Sequence, residues 1–202
     1  MPLSLRVFEP RYRQLVTECL QANEPFGVVL IREGPEVGGS AIPHDVGTTA
    51  RITSATTGQD GVIDLQTVGA RRFRIRRLYD DRPYLYADVD YLDDFDASVA
   101  PDIPDMVQRA RAGLQRIAQL QAVSRGEFER VPAVPATPAS LADAIAAFAV
   151  PDPRMRQELL ETLDVATRLE RVLPLLDAAI EVIGARSAEA VATRWGGFGM
   201  AN

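Results

Sequence analysis

The sequence predicts an α+β fold in which a twisted, mostly antiparallel β-sheet is followed by a C-terminal helical bundle. Apart from one short helix, the chain up to residue 92 alternates apolar and polar residues or forms short apolar runs, as strands do. An Asp60-Gly61 pair adds the turn signal of a tight hairpin. Farther along, apolar residues recur every three or four positions, which is typical of amphipathic helices.

One helix and one strand are predicted before the hairpin. The helix begins near Pro10, and its apolar residues have the spacing i, i+3, i+4, i+7, i+8, namely Tyr12, Leu15, Val16, Cys19 and Leu20. A continuous apolar run, Gly27 to Ile31, predicts a strand buried on both faces. A glycine-rich loop is expected from Gly34 to about Asp45.

The other predicted strands are 47–57, 62–68, 72–76 and 84–92. The third alternates arginine with apolar residues, and an Asp-rich turn separates it from the fourth. This arrangement places Asp88 and Asp90 roughly opposite Arg74 and Arg72. We therefore expect the arginine stripe to be neutralised by aspartates of the neighbouring strand.

A change of composition near Asp93 marks a boundary, because an acidic run and two prolines precede a long stretch without strand signals. We divide the chain into a β-rich subdomain at 1–96, a helical bundle at 97–185 and a flexible tail at 186–202.

Four helices are expected in the bundle. Asp152-Pro153 gives the third an N-cap acceptor and a proline in the first turn, and Asp164 caps the fourth. Pro174 lies inside the apolar stripe of the fourth helix. Since proline removes one backbone donor, it predicts a kink there.

The composition argues against several classes of protein. Acidic residues outnumber basic ones 28 to 22, a net charge of −6, which disfavours nucleic-acid binding. One cysteine and one histidine cannot supply a structural zinc site. All basic residues are arginine, so no P-loop lysine, Schiff base or Ser–Lys dyad can form. Without a signal peptide or long apolar run, a cytoplasmic location and no membrane contact are expected.

Three local patterns suggest chemistry but lack its full signature. Ser40 and His44 are spaced like part of a hydrolase site, yet no Gly-x-Ser-x-Gly surrounds Ser40, so His44 is expected to be a solvated loop residue. The aspartates of 88–96 lack the glycine and glutamate of a calcium loop, and no metal is predicted. The arginines of 71–77 could bind RNA, but Phe73 alternates to the opposite face. RNA binding is kept as the alternative.

Six groups of residues, in order along the chain, carry a family resemblance. They are Pro2-Leu3 with Phe8-Glu9-Pro10-Arg11-Tyr12, then Phe26 to Ile31, Val46-Gly47-Thr48 with Ala50-Arg51-Ile52, Asp64-Leu65 with Val68 to Ile75, Pro83-Tyr84-Leu85, and Gln157 to Glu161 with Arg168-Leu169-Glu170. Together they resemble the substrate-binding domain at the N-terminus of Lon proteases, which many bacteria also have as a free-standing protein. The resemblance extends from residue 2 to about residue 183.

The resemblance implies a PUA-like pseudo-barrel followed by a helical bundle, recognition of unfolded or tagged polypeptide, and neither catalysis nor a cofactor. In Lon the ATPase and peptidase are separate downstream domains, and we expect none here. The family usually has an apolar strand before the Pro-Leu pair, so a missing strand or an upstream start is implied. An adaptor for one dedicated protein partner is an alternative, and homo-oligomerisation is left open.

The glycine-rich loop is the predicted contact surface for polypeptide, because apolar side chains lie there on a glycine-rich hinge. The predicted contact residues are Val37, Ile42 and His44. A passive hairpin tip is the competing interpretation.

Overall fold

The computed structural model describes residues 2–35, 41–95, 102–125 and 134–195. The chain divides into two compact units, Met1–Asp93 and Asp94–Asn202, whereas the sequence placed the boundary after residue 96. The first unit contains the described strands and one helix, and the second contains the remaining described helices. The predicted α+β class, an antiparallel sheet followed by helices, is confirmed.

Five strands form one antiparallel sheet in the first unit. They are β1 (Pro2–Val7), β2 (Phe26–Glu33), β3 (Ile42–Thr57), β4 (Ile63–Tyr79) and β5 (Tyr86–Leu92). The order along the sheet is β1-β4-β3-β2, and β5 pairs with the second half of β4. The sheet is therefore open in the part of the chain that the structure describes, and β4 is its central strand.

Helix α1 (Pro10–Ala22) connects β1 to β2 and confirms the predicted first helix. Pro10 lies in the first turn, where its missing N–H would have no helical acceptor. Asn23 ends the helix in the left-handed conformation at φ 55°, and its N–H donates to the carbonyls of the last turn. Val16 is buried in the core of the unit together with Phe26, Ala50, Ile63 and Leu65.

β3 begins earlier than predicted. The sequence placed the loop up to about Asp45 and His44 in solution, but Ile42 and His44 lie in β3, and His44 is half-buried. Pro43 explains the error, since proline is rare within strands except at irregular pairing. The β2–β3 register shifts on both sides of Ile31, the residue opposite Pro43.

β4 is one continuous strand where the sequence predicted two, at 62–68 and 72–76. Gly69 lies where the β3–β4 register shifts, between the pairs Ala50–Gly69 and Thr48–Arg72. Irregular pairing around a glycine lets the strand bend without ending.

The predicted pairing of arginines with aspartates is present in a different register. Asp90 lies opposite Arg74, the position predicted for Asp88, and Asp88 lies opposite Arg77. The difference arises because the strands pair outward from Tyr79–Tyr86, so the turn lies later than predicted, whereas the β4–β5 register shift after Ile75 changes the pairing by only one residue. Arg76 falls within that shift, and its guanidinium forms an ion pair with Asp90.

Four helices in the second unit confirm the predicted number within the described residues: α2 (Ile103–Arg125), α3 (Pro138–Ala149), α4 (Pro153–Glu161) and α5 (Val165–Trp195). α5 packs against α2 and α3. Their shared core includes Ala110, Leu141, Ile145, Leu169, Val172 and Leu176. No helix in the described ranges combines the length and apolarity that crossing a membrane requires.

α5 is longer than the sequence predicted. Pro174 lies on its exposed side and the helix continues past it. The flexible tail was predicted from residue 186, but α5 continues to Trp195. A physical reason is the buried Ser187, whose hydroxyl donates to the Leu120 carbonyl of α2 at 3.0 Å and ties the two helices together.

Side-chain caps start three of these helices. Thr137 accepts from the Ser140 N–H at 3.2 Å, and Asp152 accepts from the Arg154 N–H at 3.1 Å. Asp164 accepts from the Thr167 N–H at 2.7 Å. The caps at Asp152 and Asp164 are those the sequence predicted, and each satisfies a backbone donor that the helix itself leaves free.

Arg168 is fully buried in the helical unit. Its Nη1 donates to Asp94 at 2.8 Å and to the Thr162 carbonyl at 2.7 Å, and its Nε lies 3.4 Å from an Asp143 carboxylate oxygen. The side chains of Asp94 and Asp143 are 24% and 37% exposed. The guanidinium, by contrast, has no access to water, so it depends on its carboxylate partners.

Replacing Asp94 should therefore cost more stability than replacing the arginine. We expect Asp94→Ala to lower the free energy of unfolding by about 3 kcal/mol, because it leaves a buried charge with one carboxylate. Arg168→Met should cost less, since it leaves only carboxylates that reach water. Urea unfolding followed by circular dichroism measures both.

Asp177→Ala is the matched control, because it removes the exposed partner of Arg109, 3.1 Å away, where both side chains are more than half exposed. Its effect should stay within about 1 kcal/mol. A larger loss for Arg168→Met than for Asp94→Ala would contradict the argument.

Candidate functional site

An open cleft of ≈ 720 Å³ lies in the first unit, bounded by α1 and by β2, β3, β4 and β5. Most of its lining side chains are aliphatic or aromatic, among them Leu15, Val29, Phe73, Ile75, Val89 and Tyr91. This volume falls within the range of sites that bury small molecules or a few side chains of a partner.

A close contact between an aromatic ring and two glycines forms one side of the cleft. Phe73 is 4% exposed, and a Cβ atom at Gly27 would lie 3.1 Å from its ring. A Cβ atom at Gly47 would lie 2.8 Å from the ring and 2.6 Å from the Val28 carbonyl oxygen. Only glycine fits at position 47, because a backbone atom cannot move away as a side chain can.

Cross-strand pairs of β4 and β5 form a second side. The pairs are Phe73–Tyr91, Ile75–Val89 and Leu78–Ala87. Leu78 is 41% exposed, Leu85 43% and Tyr91 48%. Exposed apolar side chains gathered in one cleft, rather than scattered singly, indicate a binding surface.

The same cleft explains why β2 differs from the prediction of a strand buried on both faces. Phe26 is buried, but Val28 and Val29 are only half-buried. Gly27 and Val29 line the cleft, which is open to solvent.

Hydrogen bonds connect α1 to the segment between β4 and β5 at the border of the cleft. The buried Tyr84 hydroxyl donates to the Glu18 carboxylate, and Arg82 Nη1 donates to the Tyr84 oxygen at 3.4 Å. Gln14 donates to Glu18 at 2.8 Å. The hydrogen bonds from Tyr84 and Gln14 lower the pKa of Glu18, and the bond to Glu18 raises the pKa of Tyr84. Glu18 therefore stays ionised at neutral pH.

Two strand edges flank the cleft without a second partner in the described part of the chain. β5 pairs only with β4, and β2 pairs only with β3. Successive side chains of a strand alternate between faces. A strand added to β5 would therefore place every second side chain on the face that carries Val89 and Tyr91.

The opposite face of β4 and β5 has a different chemistry, although Tyr86 and Arg82 at its end also line the cleft. Tyr79 and Tyr86 stack with ring centroids 5.0 Å apart. The Arg77 guanidinium lies 5.6 Å from the Tyr79 ring centroid, and that of Arg82 lies 4.5 Å from the Tyr86 centroid. From the sequence, only Phe73 was expected near the arginines, and this stack was not predicted. The signal was available, since Tyr79 and Tyr86 end and begin strands joined by one turn.

Aspartates accept hydrogen bonds from both tyrosine hydroxyls of this stack. The Tyr79 hydroxyl donates to Asp88 and the Tyr86 hydroxyl to Asp81, each at 2.7 Å. These bonds raise the pKa values of both tyrosines. Rings that stack on each other, donate to aspartates through their hydroxyls and have arginines close by leave little surface for a nucleobase.

The predicted contact residues lie beside the cleft or outside the described residues. Val37 and Ser40 fall in the segment 36–40, which the described ranges do not include. Ile42 is 46% exposed on β3, and His44 is half-buried. Neither lines the cleft, whereas Pro43 between them does. The contact role of Val37, Ile42 and His44 stays a prediction.

The cleft provides hydrophobic contact and hydrogen bonding. Cys19 lines it, and burial raises the pKa of the thiol, with the charges of Glu24 and Glu18 adding to the effect. The thiol is therefore protonated at neutral pH. Among the described residues, no group of three or more His, Cys, Asp or Glu side chains is placed to hold a metal ion.

The family model and the similar sequences point to the same family. The family model described as the ATP-dependent protease La (LON) substrate-binding domain matches residues 1–178. A Lon protease of Paraburkholderia phytofirmans is 33% identical over 172 residues, which cover 83% of this chain and 21% of the relative. One from Roseiflexus castenholzii is 31% identical over 183 residues, covering 91% and 23%. The chain spans about a fifth of the length of the curated relatives it matches.

Solved structures agree on the fold. A Lon N-terminal domain protein from Xanthomonas campestris aligns with a TM-score of 0.65 and 29% identity, covering 86% of this chain and 89% of that one. The N-terminal domain of a Mycobacterium avium complex Lon protease aligns with a TM-score of 0.60, covering 88% and 90%. At 19% identity, the second likeness supports the fold alone.

The contact between Phe73 and the glycines predicts which of two glycine substitutions destabilises the protein more. Gly47→Ala should lower the free energy of unfolding by about 1–3 kcal/mol, because the new methyl group meets a backbone oxygen. Gly27→Ala is the matched control and should cost less, since only the end of the Phe73 ring is close and can shift. Urea unfolding measures both, and equal losses would contradict the account.

Proposed function

This chain belongs to the family of the ATP-dependent protease La (LON) substrate-binding domain, and on that premise we propose that it is a non-catalytic module that binds unfolded or tagged polypeptide. The proposed site is the cleft of the first unit, and the proposed ligand is an extended apolar segment. We also propose a cytoplasmic location, as the sequence predicted.

The exposed apolar side chains in the cleft carry this proposal. Leu78, Leu85 and Tyr91 remain 41–48% exposed although they border a cavity of ≈ 720 Å³. Burying the remaining apolar surface against a ligand is favourable by about 25 cal/mol per Å². A folded protein hides its own apolar segments, so the cleft would favour unfolded forms.

Backbone hydrogen bonding to β5 is the proposed mode of binding. An extended segment added to the edge of β5 that has no partner among the described residues gains main-chain hydrogen bonds that do not depend on its sequence. Its alternate side chains would then lie over Val89 and Tyr91. This combination suits a ligand defined by being unfolded and apolar rather than by one sequence.

Two rival functions have weaker support. RNA binding would need free cations beside exposed rings, but Arg76 pairs with Asp90 and the two tyrosine hydroxyls donate to aspartates. An adaptor for one dedicated partner would use the same cleft with a single ligand.

Binding of a denatured model protein tests the proposal with two matched double variants. Leu78→Ser/Leu85→Ser removes leucines that line the cleft, while Leu3→Ser/Leu20→Ser removes leucines that are 38% and 47% exposed and lie outside it. We expect the full chain to bind the denatured form more tightly than the native form. The cleft variant should weaken binding about 10-fold or more, because each leucine would be further buried by the ligand.

Fluorescence anisotropy measures these affinities, and thermal unfolding checks that both variants fold. An apolar peptide taken from the denatured protein should also bind. If the ligand adds as a strand, methylating every second backbone nitrogen of that peptide should abolish binding. Equal loss in the two leucine variants would exclude the cleft as the site. No binding to any denatured ligand would overturn general recognition and direct the search to a dedicated partner.

A further inference from the structure

Two carboxylates give the cleft a negatively charged border. Glu18 lies on α1 and Glu24 follows its end, and both line the cleft. Cys19 lies between them in sequence, and after burial the largest influences on its thiol are the charges of Glu24 and Glu18. The two carboxylates therefore act on the same wall of the cleft.

These charges are only partly balanced by the one arginine of the cleft lining. No ion pair to Glu18 or Glu24 is present among the described residues. Arg82 is the single cation in the cleft lining, and it donates to the same Tyr84 hydroxyl that donates to Glu18. Arg82 therefore offsets part of the Glu18 charge, and Glu24 keeps the lining negative overall.

The charge near Tyr91, towards the end of β5, is positive rather than negative. Arg71 lies over the Tyr91 ring, 4.1 Å from its centroid, and its guanidinium is 3.5 Å from an Asp93 carboxylate oxygen. The positive charge there has a partner, so it offers little attraction to an acidic ligand.

The apolar and acidic parts of the cleft are adjacent. Tyr84 joins them, because its hydroxyl is bonded to Glu18 while the next residue, Leu85, presents an exposed apolar side chain to the same cleft. An apolar ligand residue packed against Leu85 would leave a neighbouring ligand side chain within reach of the carboxylates.

We propose that the cleft selects apolar segments that carry a lysine or arginine beside the apolar residues, and that Glu18 and Glu24 receive this positive charge. The inference rests on the proposed polypeptide binding and specifies its ligand. Charge complementarity at a border sets specificity and the rate of encounter more than total affinity. Segments with an acidic residue at the same place would be disfavoured by repulsion.

The test uses three peptides that share one apolar core and differ in flanking residues, which are lysine, serine or aspartate. Affinity of the full chain for each is measured by fluorescence anisotropy at low salt and at high salt. We expect the order lysine, serine, aspartate, with about a 3- to 10-fold difference between successive peptides at low salt. The differences should shrink at high salt, since both carboxylates border an open cleft.

The variant Glu18→Gln/Glu24→Gln should bind all three peptides with nearly the same affinity. Glutamine at position 18 can still accept the Tyr84 hydrogen bond, so the wall should be kept. Glu33→Gln/Asp45→Asn is the control, since it removes two exposed carboxylates outside the cleft lining and should leave the order unchanged. Glu24→Gln alone should remove at least half of the difference in log affinity between the lysine and aspartate peptides, because Arg82 offsets part of the Glu18 charge. It replaces the double variant if that one unfolds.

The outcomes separate the two proposals. If the serine peptide binds but the three affinities are equal, polypeptide binding stands and the charge selection is overturned. If the order persists in the Glu18→Gln/Glu24→Gln variant, other groups cause it and the assignment to these carboxylates is wrong. If no peptide binds, both proposals fail.

Discussion

The pairing of β4 with three other strands is the constraint on which the first unit depends. β3 pairs with β4 from Ile63 to Arg74. β1 and β5 each pair with part of this same stretch of β4. Because a strand has two edges, β1 and β5 must share the edge opposite β3. β3 does not pair with β4 beyond Arg74, and its other edge pairs with β2 from Ile42 to Ala50. The part of β4 beyond that point, with Ile75 and Leu78, lines the cleft.

Periodicity predicted the elements that depend on local patterns. The first helix, the strand pairs and the four later helices follow from apolar spacing and from caps such as Asp152. The predictions that were wrong concern features that depend on residues far away in the sequence. Pro43 lies in a strand because β2 accommodates an irregular register, and the end of α5 stays helical because Ser187 bonds to α2. Neither contact is visible in a local window of sequence.

The cleft was harder to predict than the fold. Its lining comes from five elements, and its shape depends on the approach of Phe73 to Gly27 and Gly47, residues separated by many positions along the chain. These three residues can be placed together only if the register of β2, β3 and β4 is predicted correctly. These residues are nevertheless among those that carry the family resemblance, as is Tyr84. The resemblance therefore included positions that shape the cleft, whereas the predicted contact residues, such as Val37 and Ile42, come from the predicted glycine-rich loop.

The two faces of the β4–β5 pair explain why the apolar side is the better candidate for binding. On one face, arginines, aspartates and tyrosines satisfy one another through the Arg76–Asp90 pair and the Tyr79–Tyr86 stack. A ligand there would have to replace interactions that already exist, which cancels much of its gain. On the side of the cleft, Leu78 and the nearby Leu85 remain exposed to water, so a ligand over them displaces solvent. Binding is therefore favoured where the chain has not completed its own packing, and the carboxylates at that border then decide which apolar segment is preferred.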